Sequence, residues 1–402
     1  IGGGSSGSNN ENKSSSTSSS VPTIVSKVDP PPLLPIQRCG MDGKSTIKIP
    51  RIGYSLYKTS PDQASRCTTL ALLAGIRHFD VATQYNSNAQ VCTTLKKYLD
   101  IGLEGLDVKE EKPEMLEYLK SSSDAGDQHA IETFAASGSI ASSTSLLAPT
   151  PRGSIGRRGR REGLFISHKV SNAEQSVNSI DVRRAVKAQI ATLGTSYLDL
   201  VSIHSPLTDT KRRLASYRAL LDLRDAGFVR SVGVCNYGVS YLKEIEKAGL
   251  DLPSVVQLEL SPFNTHADVV TYCSKNGIAV SCAAWSKLSG ESGPQDQWAV
   301  VSEMAKKKSM TKAQILVRWS LQKGYICVPR SGCGSKLERI AIGENSYGGV
   351  NVSGGGCALT KEDMDILDGL DIGLKAGKLG RRDGWEDGDV TGDDWDPTDL
   401  SA

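Results

Sequence analysis

Four side chains of types that can together protonate a carbonyl stand near the ends of apolar runs. Asp80 closes Gly75-Ile76-Arg77-His78-Phe79-Asp80, and Tyr85 follows five residues later. Lys169 ends Leu164-Phe165-Ile166-Ser167-His168-Lys169, and His204 ends Leu198-Asp199-Leu200-Val201-Ser202-Ile203-His204. A tyrosine titrates near ~10, so alone it is a reluctant acid at neutral pH. A lysine cation beside it stabilises the phenolate. That makes Tyr85 a general acid for carbonyl reduction and a base in the reverse direction. Asp80 would hold Lys169 in place and charged, and His204 would hydrogen-bond and orient the carbonyl oxygen. Each residue alone has a plainer reading. An aspartate after a strand often caps a helix, a strand-end lysine is often a surface charge, and a lone histidine is usually structural. Together, in order on successive strands, the four favour chemistry. His78 and His168 match no catalytic position and read as packing or surface residues.

The stretch Gly75-Ile76-Arg77-His78-Phe79-Asp80-Val81-Ala82-Thr83-Gln84-Tyr85 resembles the aldo-keto reductase signature Gly-x-Arg-x-x-Asp-x-Ala-x-x-Tyr. The Lys169 and His204 segments resemble the same family's Leu-Phe-Ile-x-x-Lys and Asp-Leu-x-x-Ile-His-x-Pro. The resemblance implies a catalytic tetrad of Asp80, Tyr85, Lys169 and His204. It covers about Ile47 to Leu374, apart from one insertion. Tyr57 takes the position where many members have a pocket tryptophan, and Ser205 takes another position often filled by an aromatic. The substrate pocket is therefore expected to be less enclosed by large rings.

The resemblance also implies a nicotinamide cofactor. Ser231-Val232-Gly233-Val234-Cys235-Asn236 is similar to the family's Ile-Gly-x-Ser-Asn, so Asn236 matches an amide-binding residue and Cys235 stands in place of the serine. Gln257 matches the third amide-binding residue. Ala284-Trp285-Ser286-Lys287-Leu288 resembles Ala-Tyr-Ser-Pro-Leu; Trp285 would stack on the nicotinamide ring, or else serve as a core tryptophan, while Ser286 and Leu288 would touch the pyrophosphate. Val328-Pro329-Arg330-Ser331 resembles Ile-Pro-Lys-Ser, with a planar cationic fork at Arg330 suited to phosphate. Arg339 resembles the arginine that grips the adenosine 2′-phosphate, and Glu344 and Asn345 the adenine-binding pair. Two cations near a helix N-terminus favour a phosphate there, hence NADPH over NADH.

These residues need rigid elements to hold them. Strand-like runs occur at Ile76–Asp80, Leu164–Val170, Leu198–His204, Ser231–Cys235, Val255–Leu260, Ile278–Ala283 and Ile326–Pro329. Helical stripes lie between them. Val182, Val186, Ile190 and Leu193 end at Gly194; Leu214, Tyr217 and Leu221 end at Gly227; Val239, Leu242 and Ile245 end before Gly249. Ser60-Pro61-Asp62-Gln63, Thr311–Gln314 and Ser335–Glu338 read as helix starts. That makes seven strand-then-helix units, with an eighth strand expected near Val350–Val352. Ile47, Ile49 and Ile52 suggest a short strand or hairpin before the barrel. So many repeated units predict an α/β fold of the (β/α)8 TIM-barrel type over an open sheet. No Gly-x-Gly-x-x-Gly turn follows the first strand, as an open dinucleotide-binding sheet would show.

The remainder of the 402 residues is polar and irregular. Residues 1–46 are expected to be a disordered lead-in, 47–374 the barrel, 100–161 an inserted flexible loop, and 375–402 an acidic tail that is either solvated or a lid over the barrel mouth. Arginines 152, 157, 158, 160 and 161 read as a solvated linker or a polyanion contact. Net charge is +2, which gives no global drive toward nucleic acid or membrane, and no run approaches the roughly 18 apolar residues of a membrane span. The nine scattered cysteines fit free thiols in a reducing compartment and no metal site. A cytoplasmic monomer acting on a small-molecule carbonyl is expected, although the chain begins at Ile1 and a remnant of an organelle transit peptide stays open. The leading reading is an NADPH-dependent reductase of an aldehyde or ketone, sugar-derived ones included. A non-catalytic NADPH-binding regulator, like the family's potassium-channel β subunits, and a barrel aldolase using Lys169 as a Schiff base are the alternatives.

Overall fold

The structure, a computed structural model, describes residues 1–2, 33–37, 46–57, 59–73, 76–106, 156–283, 295–308, 310, 312–329 and 358–373. Eight strands run parallel and pair in chain order. They are β3 (Tyr54–Ser55), β4 (His78–Ala82), β5 (Phe165–Val170), β6 (Leu198–Ile203), β7 (Val229–Cys235), β8 (Val255–Leu258), β9 (Ala279–Cys282) and β10 (Ile326–Cys327). The first strand returns to the last. Ile52 bridges Cys327, Gly53 donates to the Cys327 carbonyl at 2.8 Å, and Ser55 donates to the Pro329 carbonyl at 3.0 Å. The sheet is thereby a closed (β/α)8 barrel, as its repeated units predict.

Closure corrects one expectation. The eighth strand is β3, ahead of the others, so Asp80 and Tyr85 follow the second barrel strand. Two residues are too few for a period-two pattern to register; pairing with β4 and β10 defines this strand. The alternative position at Val350–Val352 lies outside the described residues. So do residues 107–155 of the insertion, Thr311, the helix start at Ser335, and the acidic tail beyond residue 373.

Alternation along each strand sorts the side chains. Phe79, Val81, Ile166, Val201, Val232, Val234 and Val256 face outward into the main core beneath the helices. Phe165, Leu200, Val255, Ile326 and Val328 face inward and form a second core at the strands' N-terminal ends. Ile47 and Ile49 join that inner core. They belong to β2 (Thr46–Pro50), which pairs antiparallel with β1 (Leu33–Gln37). This hairpin plugs the lower end of the barrel. The unstructured lead-in expected through residue 46 is thus too long, because Leu33–Gln37 finds its backbone partner in β2. Higher in the bore, Gly233 leaves no room for a side chain: an added Cβ would lie 2.6 Å from Ser202 Oγ and 2.9 Å from the Val255 carbonyl.

Local chemistry sets the helix ends. Helix Pro61–Leu73 starts at its proline, and helix Ile180–Leu193 stops at Gly194 with φ 61°. Asp209 caps helix Thr210–Asp225 by accepting from the Arg212 N–H at 3.0 Å. Thr360 and Asp363 form a reciprocal capping box on helix Lys361–Asp368.

The end of the insertion is ordered, where a flexible loop was expected. Arg157–Glu162 is a short helix. Arg160 donates to the carbonyls of Leu99 and Asp100 at 2.7 Å each, satisfying the C-terminal end of helix Asn88–Ile101. Arg161 reaches Thr195 Oγ1 and Asp199 Oδ2 at 2.8 Å and lies over the Tyr197 ring at 3.8 Å. These arginines serve internal carbonyls and a buried carboxylate, which argues against the polyanion reading. Among the described cysteines, Cys92, Cys235, Cys273, Cys282 and Cys327 are free and buried, whereas Cys67 is disulfide-bonded.

Candidate active site

The register of β4 and β5 sets Asp80 opposite Ser167 and Ala82 opposite Lys169. Both strands turn these residues into the bore, so Asp80 and Lys169 meet there at 2% and 4% exposure. Lys169 Nζ donates to Asp80 Oδ2, and Nζ lies 3.4 Å from the Tyr85 hydroxyl. Tyr85 is carried by the turn after β4, where its N–H donates to the Ala82 carbonyl at 3.0 Å. The second carboxylate oxygen, Asp80 Oδ1, accepts from Ser167 Oγ at 2.9 Å. His78 continues the chain of polar groups downward. Its Nε2 is 3.1 Å from Ser167 Oγ, and its Nδ1 donates to the Pro50 carbonyl at 3.2 Å. A row of polar groups thus runs from the basal hairpin up to the tyrosine, with the single Ser167 hydroxyl proton given to Asp80.

Lys169 does pull the Tyr85 phenol toward ionisation, as expected, but burial reverses the net direction. Burial is the largest influence on Tyr85 and raises its pKa above the ordinary value; Lys169 pulls it down and Asp80 pushes it back up. The net direction is upward, so desolvation outweighs the ammonium. Tyr85 therefore stays protonated at neutral pH. For Lys169, burial opposes the charge, but Asp80 and Tyr85 together more than offset it and hold the pKa above the usual lysine value. His78 is lowered to about 4, chiefly by burial, so it is neutral.

The rim is built by the next strands. His204 follows β6; its N–H donates to the Val170 carbonyl at 2.9 Å, and its own carbonyl accepts from Asn236 Nδ2 at 3.2 Å. Asn236 follows β7 with φ 60°, a left-handed conformation that asparagine tolerates. Gln84, beside Tyr85 in sequence, brings Nε2 to 2.6 Å from His204 Nδ1. Tyr57 packs its ring 5.6 Å from that of Tyr85. Ser205 is buried and its hydroxyl is committed to Asn172 Oδ1 at 2.7 Å, so it ties two rim loops together.

A carboxamide ligand needs a donor and an acceptor, and Asn236 and Gln257 bring amide groups to adjacent strand ends. Among the described residues, the Gln257 side chain has one partner, the Cys235 thiol with Sγ 3.7 Å from Oε1. So weak a bond leaves the amide available, and this part of the rim fits the nicotinamide end of a dinucleotide. Burial raises the Cys235 thiol to about 12, so it is no nucleophile. Trp285, Ser286, Leu288, Arg330, Ser331, Arg339, Glu344 and Asn345 lie outside the described residues.

Residues 145–342 match the model of the Aldo/keto reductase family. A glyoxal reductase of Bacillus subtilis is 32% identical over 217 residues, spanning 54% of this chain and 72% of the relative. The chain belongs to the aldo/keto reductase family. Another relative, an uncharacterized oxidoreductase of Schizosaccharomyces pombe, is 39% identical over 173 residues, 43% of this chain and 58% of that protein. Among solved structures, an aldo/keto reductase from Brucella melitensis aligns with TM-score 0.57 at 22% identity, covering 85% of this chain and 98% of that one, a likeness of fold. The family model spans Lys169, His204, Asn236 and Gln257, while Asp80 and Tyr85 precede it on the far side of the insertion.

Of three polar residues at this aldo/keto reductase site, His78 was read only as packing or surface, and Ser167 and Gln84 were not singled out from sequence. Ser167 and His78 were legible as inward positions, two residues from Lys169 and Asp80 respectively. Gln84 carried no signal, because its partner is 120 positions away.

Proposed function

We propose that this aldo/keto reductase reduces an aldehyde or ketone to an alcohol with NADPH. The bound dihydronicotinamide supplies the hydride. Tyr85 gives its proton to the carbonyl oxygen as general acid. Lys169 stabilises the phenolate left behind, Asp80 keeps Lys169 charged and in place, and His204 orients the oxygen. Asn236 and Gln257 would hold the carboxamide, with Trp285 for the ring and Ser286 and Leu288 for the pyrophosphate. Arg330, Ser331 and Arg339 would take the 2′-phosphate end, and Glu344 and Asn345 the adenine. Tyr57 lines the substrate pocket. What supports the reading is one observation: a buried tyrosine hydroxyl 3.4 Å from a lysine that is itself bonded to a buried aspartate, at the mouth of a parallel barrel.

The test is NADPH oxidation across glyoxal, simple aldehydes, ketones and aldoses, beside Tyr85→Phe. Turnover of at least one class is expected, with a loss of about 100-fold or more in the variant. Cofactor binding without turnover would favour the regulator instead, and turnover that survives Tyr85→Phe would remove Tyr85 from the chemistry. Comparable Michaelis constants for NADPH and NADH would defeat the cofactor choice.

A further inference from the structure

We infer that Gln84 is a positioning residue that holds the imidazole of His204 in the Nε2–H tautomer. This rests on the reductase reading, in which His204 donates to the carbonyl oxygen. The contact is short, 2.6 Å from Gln84 Nε2 to His204 Nδ1. Both partners are fixed by their backbones. Tyr85 N donates to the Ala82 carbonyl at 3.0 Å and Asn88 N to the Tyr85 carbonyl at 2.7 Å, which sets the turn carrying Gln84. His204 is pinned through its N–H to Val170 and through its carbonyl to Asn236.

The chemistry of the pair selects one proton arrangement. An amide N–H donates, so the Nδ1 that receives it must be bare, and the neutral ring's single proton sits on Nε2. The opposite arrangement requires the amide to be turned over, its oxygen accepting from an Nδ1–H. Gln84 Oε1 is buried and, among the described residues, unpartnered. Turning the amide would bury an NH2 group in that position, with two donors facing nothing. An under-satisfied carbonyl oxygen is tolerated better than orphaned N–H groups. In this tautomer Nε2 is a donor, as the reductase reading requires. An Nδ1–H ring would present a lone pair to the carbonyl oxygen, which repels it. The tautomer is therefore a condition for catalysis, and Gln84 acts on the reaction through it.

Long-range proton–nitrogen NMR on histidine-labelled protein, without substrate, reads the tautomer directly. The chain has five histidines, and a His204→Gln variant identifies the signal. Wild type is expected to show Nε2–H alone. Gln84→Glu replaces the donor by a carboxylate acceptor and is expected to move a proton onto Nδ1. Gln84→Met is expected to give a mixture, with kcat for carbonyl reduction roughly tenfold lower and the KM for NADPH unchanged. An Nδ1–H ring in wild type overturns the inference, as does an Nε2–H ring unchanged in both variants. Because the NMR measurement needs no turnover, a chain with no reductase activity would sink the proposed function and leave this assignment standing.

Discussion

Removing the Lys169 side chain should produce two separable effects. Lys169 and Asp80 are both buried, and each is the other's counter-charge. Lys169→Met leaves Asp80 as an uncompensated carboxylate and should destabilise the fold by about 3–5 kcal/mol while abolishing reduction. Adding Asp80→Asn should restore most of the stability and none of the turnover. Denaturant unfolding and NADPH oxidation measured on both variants check this; equal stability of the single variant and wild type would refute the buried-pair account. A second expectation concerns pH. Burial raises the Tyr85 pKa above its ordinary value, so the general acid keeps its proton throughout the neutral range. The kcat/KM for reduction should hold level into alkaline solution and fall only above the ~10 of free tyrosine. Alcohol oxidation should rise with pH over the same range, because there the phenolate is the base. A reduction limb falling near neutrality and traced to Tyr85 by the Phe variant would contradict the burial argument.

At the scale of elements, the arginines after the insertion anchor the return of the chain to the barrel. Arg161 donates to Thr195, Leu164, Tyr197 and Asp199, and it stacks on Tyr197. Asp199 is fully buried, and burial raises its pKa while Arg161 lowers it. Arg161→Ala should cost about 3 kcal/mol, since among the described residues Asp199 keeps only Arg230 at 2.9 Å as an ion partner. Hydrogen exchange should quicken in Arg157–Glu162 and at the start of β6, with the rim less affected. Exchange unchanged there would mean the helix is held by other contacts. From sequence this arginine run read as solvent-exposed charge. Its real role depends on carbonyls at the end of helix Asn88–Ile101 and on Asp199, and only folding brings those within reach of the guanidinium groups.

Across the whole molecule, the interior histidines make the fold acid-labile. His78 is lowered to about 4 and His168 to about 3, in both cases chiefly by burial. An unfolded histidine titrates near ~6.5, so between that pH and the folded values the unfolded chain binds more protons than the native one. Stability is fully present above about pH 6.5 and falls as the solution is acidified, by about 1.4 kcal/mol per pH unit for each histidine. His168 has no hydrogen-bond partner among the described residues and sits under the helices, so His168→Leu should flatten the acid limb without weakening the fold at pH 7. Unfolding midpoints from pH 4 to 7 test this; an unchanged slope in the variant would show that His168 is not among the groups titrating.

Local order along the chain already determined the repeat of strand and helix, and with it a barrel whose strand ends carry Asp80, Lys169 and His204. It did so because residues 78–82, 165–170 and 198–203 lie in apolar-rich runs of strand length, and because Gly194 marks a helix end by its own backbone chemistry. Tertiary structure alone decided that the two-residue β3 closes the ring and that Leu33–Gln37 pairs with β2. It also decided that Tyr85 is buried enough for desolvation to outweigh its lysine, and that Gln84 meets His204. These outcomes depend on distances between residues tens to hundreds of positions apart and on how much water the packed bore excludes. A linear pattern carries neither quantity.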